Sequence, residues 1–283
     1  MEGGQKAGFG SAGGPGQTPC DRTMIVLKLA AAPAVVWLAS QAGRRWGHRV
    51  AGLIGGFPLI AAPIMLFLAL DAPRDLVVET AWLIMAGSPA VAAHCLIYAW
   101  LARFCEGRWR WIACLLIAWA GCVAVAWVLT GLAVFGWPGY LLALGLGLLL
   151  ARLMPRARAP ASLAAIPAIE IAVRMGAALA LAAAAMFGAE TFGPRVSSVL
   201  LVFPITASVL PVFTLALHGA DAAIRLLSGF AVGLLGFTTY FFVFASLLKE
   251  AGPALALLAG GMAGVAAVSL VLAWYRYRSR RRG

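Results

Sequence analysis

Three charged side chains in this sequence stand inside long apolar runs. Lys28 lies about one turn into the first run, and Glu170 and Arg174 lie in a later one. A charge within hydrocarbon costs at least about 2.5 kcal/mol, so a sequence that keeps one usually supplies a partner or a task for it. We therefore take these residues as the first candidates for a substrate or ion pathway.

Each of these charges also has a structural interpretation. The Lys28 side chain can snorkel to the lipid headgroups. Glu170 precedes Arg174 by four residues, a spacing and order in which the two side chains neutralise each other along one helix face. A gate or a proton-linked site is the functional alternative to that pairing, and the sequence leaves both open.

Proline interrupts two apolar runs at matching places, in Phe57-Pro58 and Phe203-Pro204. Each proline removes one backbone donor and frees a carbonyl one turn earlier, which predicts a broken or kinked helix. Discontinuous helices at corresponding positions of two halves are typical of transport sites, because their ends can bind a substrate or ion. A packing kink is the simpler interpretation of the same residues.

Four uncharged polar side chains lie within the remaining runs. A lone membrane histidine such as His94 is more often a hydrogen-bonded interior residue than a proton relay. Tyr240 occupies the position that matches His94, and Thr238 and Thr239 beside it can line a cavity or bond to neighbouring helices. The sequence carries no Ser/His/Asp, metal-ligand or phosphate-loop constellation, so we expect no enzyme, no cofactor and no metal site.

The elements that must position these residues are hydrophobic helices. Of 283 residues, 63% are hydrophobic and 11% are charged, and the mean hydropathy is +0.94. Lipid offers no hydrogen-bond partners, so a run of about 20 apolar residues must close its own backbone bonds as a helix. Strands of a barrel would alternate apolar and polar residues, whereas 139–151 is apolar almost throughout. The expected fold class is all-α, a polytopic membrane helix bundle.

Apolar runs separated by polar residues predict about nine transmembrane helices. The fifth is the shortest, because Gly136, Pro138 and Gly139 interrupt its start. If it crosses, most loop arginines and the basic C-terminus share one side; if it does not, the cations divide more evenly. The predicted spans lie near 24–42, 50–70, 76–102, 110–130, 134–153, 162–188, 196–217, 222–248 and 253–274.

The positive-inside rule then places the C-terminus in the cytoplasm and the N-terminus outside. The expected partners are the lipid bilayer, with anionic lipids at the basic C-terminal tail, and an unknown small substrate. The net charge of +12 is not gathered on one patterned face, so we expect no nucleic-acid binding. A homodimer is compatible with this interpretation.

The two halves of the chain match at a constant offset of 146 positions, the separation of Lys28 from Arg174. Each copy holds four spans and one span separates the copies, so the sequence predicts two inverted four-helix repeats joined by a linking helix. The matched residues include Gly47 with Gly193, Arg49 with Arg195, Phe57 with Phe203, Pro58 with Pro204 and Asp75 with Asp221. The expected organisation is a disordered tail (1–23), membrane repeat 1 (24–130), a linking helix and cytoplasmic loop (131–161), membrane repeat 2 (162–274) and a basic cytoplasmic tail (275–283).

The run 51–58, with Lys28 standing 29 positions before Phe57, resembles the GlpM-type family of small bacterial inner-membrane proteins. The same spacing separates Arg174 from Phe203. The resemblance implies a tandem duplication of such a unit in the bacterial inner membrane. The family is similar to proteins linked to envelope polysaccharide production and has no agreed activity.

From these features we expect a small secondary transporter or permease of the bacterial inner membrane. It would alternate access between the inverted repeats and take an anionic or amphiphilic substrate. The alternative is a non-transporting accessory or scaffold protein in envelope polysaccharide production. A cavity that reaches the midplane would favour transport, and a tightly packed centre would favour the scaffold.

Overall fold

The structure, a computed structural model, describes residues 19–107, 109–132, 134–158, 166–192 and 204–281. Side chains are described from residue 30 onward, apart from those of residues 71, 130, 184–192 and 278–280 within these ranges. All regular elements in the described ranges are helices. They are α1 (Pro19–Trp46), α2 (His48–Gly56), α3 (Ala61–Asp71), α4 (Arg74–Phe104), α5 (Arg110–Leu132), α6 (Gly136–Arg152), α7 (Ala168–Phe192), α8 (Ile205–His218) and α9 (Ala220–Arg280).

Four stretches of the described chain are long and apolar enough to cross a membrane. They are His48–Leu70, Arg74–Phe104, Arg110–Leu129 and Ala220–Tyr277. The all-helical fold is thus confirmed, and its long apolar helices fit a membrane protein, with fewer clear spans than the nine predicted. The fifth predicted span illustrates the difference, because α6 has 17 residues, or about 25 Å, against a hydrocarbon core of about 30 Å.

Both ends of the chain are more helical than the sequence suggested. α1 begins at Pro19, inside the tail predicted to be disordered, and proline is well suited to the first turn of a helix. α9 continues to Arg280 through most of the predicted basic tail. The exposed rings of Trp274 and Tyr277 lie on this last part of α9, as expected for residues at a membrane interface.

α9 joins two of the predicted spans in one element. Gly252 has φ 78° and ψ 170°, a conformation that glycine adopts without steric cost. The backbone therefore turns there, and Pro253 begins the next helical segment. We call the two segments of α9 its first arm (220–251) and its second arm (253–280).

α4 and the first arm of α9 pack along most of their length in opposite directions. Residues in the second half of α4, 91–102, share one apolar cluster with 223–234 of α9. Residues in the first half, 77–85, share another with 240–248. The antiparallel direction is also seen where the first arm of α9 ends beside the start of α4, because Lys249 Nζ lies 2.5 Å from Asp75 Oδ1.

The first Phe-Pro sequence breaks a helix, as predicted. α2 ends at Gly56, Phe57 has an extended backbone (φ −81°, ψ 154°), and α3 begins at Ala61. In the second half, α8 begins directly after Pro204, while Phe203 lies outside the described residues.

Glycines bring the backbones of α2 and α9 into close contact. A methyl group on Gly52 would lie 1.7 Å from the carbonyl oxygen of Leu226, and one on Gly229 would lie 1.9 Å from that of Arg49. Small residues at such crossings are typical of membrane helices, since packing rather than hydrophobicity drives their association. α2 is thus fixed against the first arm of α9.

We expect Gly52→Ala to destabilise the protein, because the added methyl must push α2 away from α9. Overpacking of this kind costs about 1–3 kcal/mol. The measurement is the thermal unfolding midpoint of the purified protein in detergent. Gly145→Ala in α6 is the matched control, since a methyl there meets nothing within 4 Å. Equal midpoints for the two variants would contradict the close crossing.

Candidate functional site

A buried ionic cluster lies where α2, α7 and α8 meet; we define it as His48, Glu170, Arg174, Thr214 and His218. The Glu170 side chain accepts a hydrogen bond from Arg174 Nη2, so the predicted pair is present. His218 Nε2 lies 3.1 Å and 3.2 Å from the two oxygens of the same carboxylate. An ionised carboxylate can only accept, so Nε2 carries the hydrogen and donates it.

Arg174 is the most enclosed member of the ionic cluster. Only 1% of its surface is exposed, against 7% for Glu170. Its Nη2 also lies 3.4 Å from the Thr214 hydroxyl oxygen, and its guanidinium carbon lies 5.9 Å from the centre of the Phe213 ring. Among the described residues, its Nε finds no acceptor. The guanidinium is therefore neutralised by Glu170 but incompletely hydrogen-bonded.

His48 extends the ionic cluster into the first half of the chain. It is the first residue of α2 and is 5% exposed. Its ring centre lies 5.2 Å from that of His218. Two tight turns set this approach: Gly47 (φ 86°) precedes His48, and Gly219 (φ 84°) follows His218. Residues about 170 positions apart are thereby brought together.

The ionic cluster lies near helix ends and not at the middle of the bundle. Glu170 is in the first turn of α7 and His218 closes α8. At the same end of the bundle, the backbone N–H of Arg158 donates to Asp221 Oδ1 over 2.8 Å. The sequence had suggested that Arg174 lies deeper, because its apolar run begins near residue 161. α7 begins only at Ala168, so Arg174 is less than two turns from its start.

The end of α2 before Pro58 and the start of α8 after Pro204 meet at a second place, deeper in the bundle. The Thr206 hydroxyl, in the first turn of α8, donates to the Gly55 carbonyl near the end of α2 over 3.3 Å. His94 Nε2 donates to the Ala207 carbonyl over 3.1 Å, and His94 itself is fully buried. We call this region the break junction. It brings together the ends that Pro58 and Pro204 create.

The Phe57 ring occupies the angle between the two arms of α9. A methyl on Gly236 or on Gly264 would come within 3.1 Å or 3.4 Å of ring carbons of Phe57. Pro58 is buried next to it. At the first break, the Phe57 ring therefore packs against glycines of both arms, where a larger residue would leave it less room.

The remaining predicted residues belong to other contacts. Thr238 bonds to Ser88 of α4 over 2.7 Å, and Thr239 lies 3.3 Å from the hydroxyl of Tyr140 in α6. Tyr240 is 2% exposed, and among the described residues its hydroxyl has no partner. The Lys28 side chain, like Phe203, lies outside the description. The structure therefore separates the predicted pathway residues into the ionic cluster, the break junction and helix contacts.

Sequence reasoning missed His48, Thr214 and His218. Thr214 and His218 stand four residues apart and so share a helix face, which is a signal that the sequence does contain. His48 carries no such local signal, because its contact is made between helices. In the described ranges, no group of three or more His, Cys, Asp and Glu side chains is placed to hold a metal ion.

Comparison of the chain with models of protein families, with curated proteins and with solved structures finds no match.

We expect Glu170→Gln and Arg174→Gln each to destabilise the protein strongly, because each leaves a buried charge without its partner. Breaking one side of a buried pair costs about 3–5 kcal/mol. The double variant should lose much less than the sum of the two, since its amides carry no charge. Denaturant unfolding in detergent micelles gives the free energy of unfolding of the two single variants and the double variant.

Asp75→Asn is the control for this cycle, because the Asp75–Lys249 pair is exposed and such pairs contribute little. It should leave the unfolding midpoint unchanged. Strictly additive losses at Glu170 and Arg174 would show that the two side chains do not act as a pair.

Proposed function

We propose that this protein is a small secondary transporter of the bacterial inner membrane, formed by two inverted four-helix repeats that resemble fused GlpM-type units. The observation that carries the proposal is the antiparallel packing of α4 against the first arm of α9. These two segments are equivalents at the offset of 146, so antiparallel packing is what an inverted duplication requires.

The order of the helices supports the same division. α1, the broken helix α2–α3, α4 and α5 would form the first repeat. α7, α8 and the two arms of α9 follow in a corresponding order, with α6 between the repeats. α8 would correspond to α3, since each begins after a Phe-Pro sequence.

The contacts at the crossing of α4 and α9 are consistent with twofold symmetry. Ser88 of α4 bonds to Thr238 of α9. Exchanging both positions by the offset gives Leu234 and Ala92, and these residues share one apolar cluster. Equivalent contacts on the two sides of a crossing are typical of halves related by a twofold axis in the membrane plane.

The break junction is the place where such a transporter would bind its substrate. It contains the end of α2 and the start of α8, one from each proposed repeat, where the Gly55 and Ala207 carbonyls accept from side chains of neighbouring helices. His94 and Thr206 are buried in the described conformation, so this conformation would be a closed one. Alternating access requires the repeats to separate on one side at a time.

The close packing at the centre also favours a second function, a non-transporting scaffold in envelope polysaccharide production. A scaffold needs no second conformation, whereas a transporter does. Links between helices are found at both ends of the bundle, at Asp75–Lys249 and at Arg158–Asp221. A transporter must open these links in turn, and a scaffold keeps both closed.

The inverted arrangement predicts that equivalent positions face opposite sides of the membrane. Phe104 and Glu250 are such equivalents, and both are exposed at helix ends. Each would be replaced by cysteine in a variant without the five native cysteines, and labelled with a membrane-impermeant maleimide in oriented vesicles. We expect labelling from opposite sides. Labelling of both from one side would rule out inverted repeats.

Alternating access predicts two conformations in lipid. Spin labels at Leu76 and Glu250 report on one end of the α4–α9 pair. Labels at Phe104 of α4 and at Leu217 of α8, just before α9 begins, report on the other. Double electron–electron resonance should resolve a short and a long distance for each pair, with opening at one end accompanied by closure at the other. A single fixed distance at both ends, under all pH values and ion gradients tested, would favour the scaffold.

A further inference from the structure

We propose that the ionic cluster is a proton-binding site, in which His218 gains and loses the proton and Glu170 holds it in place. Its role as the coupling site of a transporter rests on the proposed function. The proton-binding site itself rests on the contacts of five described residues and is tested separately.

The geometry leaves one ring nitrogen of His218 for the proton. Nε2 already carries a hydrogen, which it donates to both oxygens of Glu170. A neutral imidazole therefore has its lone pair on Nδ1. Protonation forms an N–H bond at Nδ1 from a hydronium ion, which is left as water, and the imidazolium then forms a charged hydrogen bond with the carboxylate.

The members of the ionic cluster differ in exposure. The His218 side chain is 18% exposed and Glu170 is 6% exposed, while Arg174 is 1% exposed. His218 is also the last residue of α8. Of the three, the imidazole is therefore the group placed to receive a proton from outside the bundle.

Protonation of His218 sets up a competition for Glu170. Arg174 is permanently charged, and the carboxylate neutralises it while His218 is neutral. A second cation at His218 shares the same carboxylate, which weakens the hold of Glu170 on Arg174. Nε of Arg174 lacks an acceptor among the described residues and Thr214 lies at 3.4 Å, so Arg174 has no second carboxylate there to replace Glu170.

The charges around this site are mostly cationic. Arg174 shares α7 with Glu170, His48 faces the site from α2, and Arg225 of α9 lies within electrostatic range of His48. α1, which packs against α2 and α7, ends in the exposed pair Arg44 and Arg45. Asp221 of α9 stands three residues after His218, and its carboxylate accepts from the backbone N–H of Arg158. Glu170 is the carboxylate whose two oxygens accept from His218, so it is the main candidate to stabilise an added proton there.

His48 places a second imidazole beside His218. It lies on α2, in the first half, and its ring centre is 5.2 Å from that of His218, in the second. Two imidazolium ions at this distance repel each other. A proton on His218 therefore disfavours a proton on His48, so the ionic cluster holds one imidazolium at a time.

The test is a titration of the histidine rings by nitrogen NMR in lipid nanodiscs between pH 5 and 8. The chain has three histidines, so single His→Gln variants assign each signal. We expect His218 to titrate in this range, and Glu170→Gln to lower its proton affinity about tenfold or more, as loss of a contacting charge does. Buried His94 should not titrate.

Two further variants separate this site from a general loss of structure. Glu170→Asp keeps the charge and should retain most of the proton affinity that Glu170→Gln loses. Glu79→Gln removes an exposed carboxylate of α4 and should change nothing. The proton-binding site is wrong if His218 keeps one protonation state throughout, or if its midpoint is the same with and without the Glu170 charge.

The spin-label pairs distinguish failure of this site from failure of the transporter. If His218 titrates as expected while both distances stay fixed at pH 5.5 and 7.5, the proton-binding site stands and the transport function fails. If the distances respond to pH in the native protein but not in Glu170→Gln, both are supported. Distances that respond equally in the two proteins would assign the proton to another group and overturn the site.

Discussion

Backbone groups inside a membrane must find hydrogen-bond partners within the protein, and this constraint governs the whole structure. Continuous helices satisfy it locally, so the apolar runs become helices. The break after Gly56 does not, and its cost is reduced because α8 brings a donor, the Thr206 hydroxyl, to the free carbonyl of Gly55. That meeting depends in turn on α2 lying against α9, which Gly52 and Gly229 permit.

Buried charged groups also need partners within the protein, and the free-energy cost of leaving one unpaired is larger than that for a backbone group. Arg174 is sealed from water and is kept ionised by Glu170, whose second partner is His218. A hydrophobic bundle that needed only to pack would gain nothing from this group, since apolar residues of similar volume are often at least as stable. Its position near helix ends, with His218 partly exposed, is compatible with the proposed proton-binding site.

The sequence predicted those features that depend on neighbours in the chain. Helical class, the Phe57-Pro58 break and the pairing of Glu170 with Arg174 all follow from spacing over one or two turns. The contact between His48 and His218 could not be predicted, because it arises from the packing of α2 against α8. The two arms of α9 meet at Gly252, between the spans that hydropathy predicted at 222–248 and 253–274, because Gly252 and Pro253 mark the end of one apolar run and the start of the next.

If the chain is a duplication, the ionic cluster is present in only one of its two units. At the offset of 146, Glu170 and His218 correspond to Met24 and Ala72, and only Arg174 has a charged equivalent, Lys28. Two identical inverted units would carry the same site at both ends and respond alike to protons from either side. Because the carboxylate and imidazole stand in the second proposed unit only, a proton would act on one end of the proposed transporter. Divergence between the two proposed units would then give transport a direction that identical units could not.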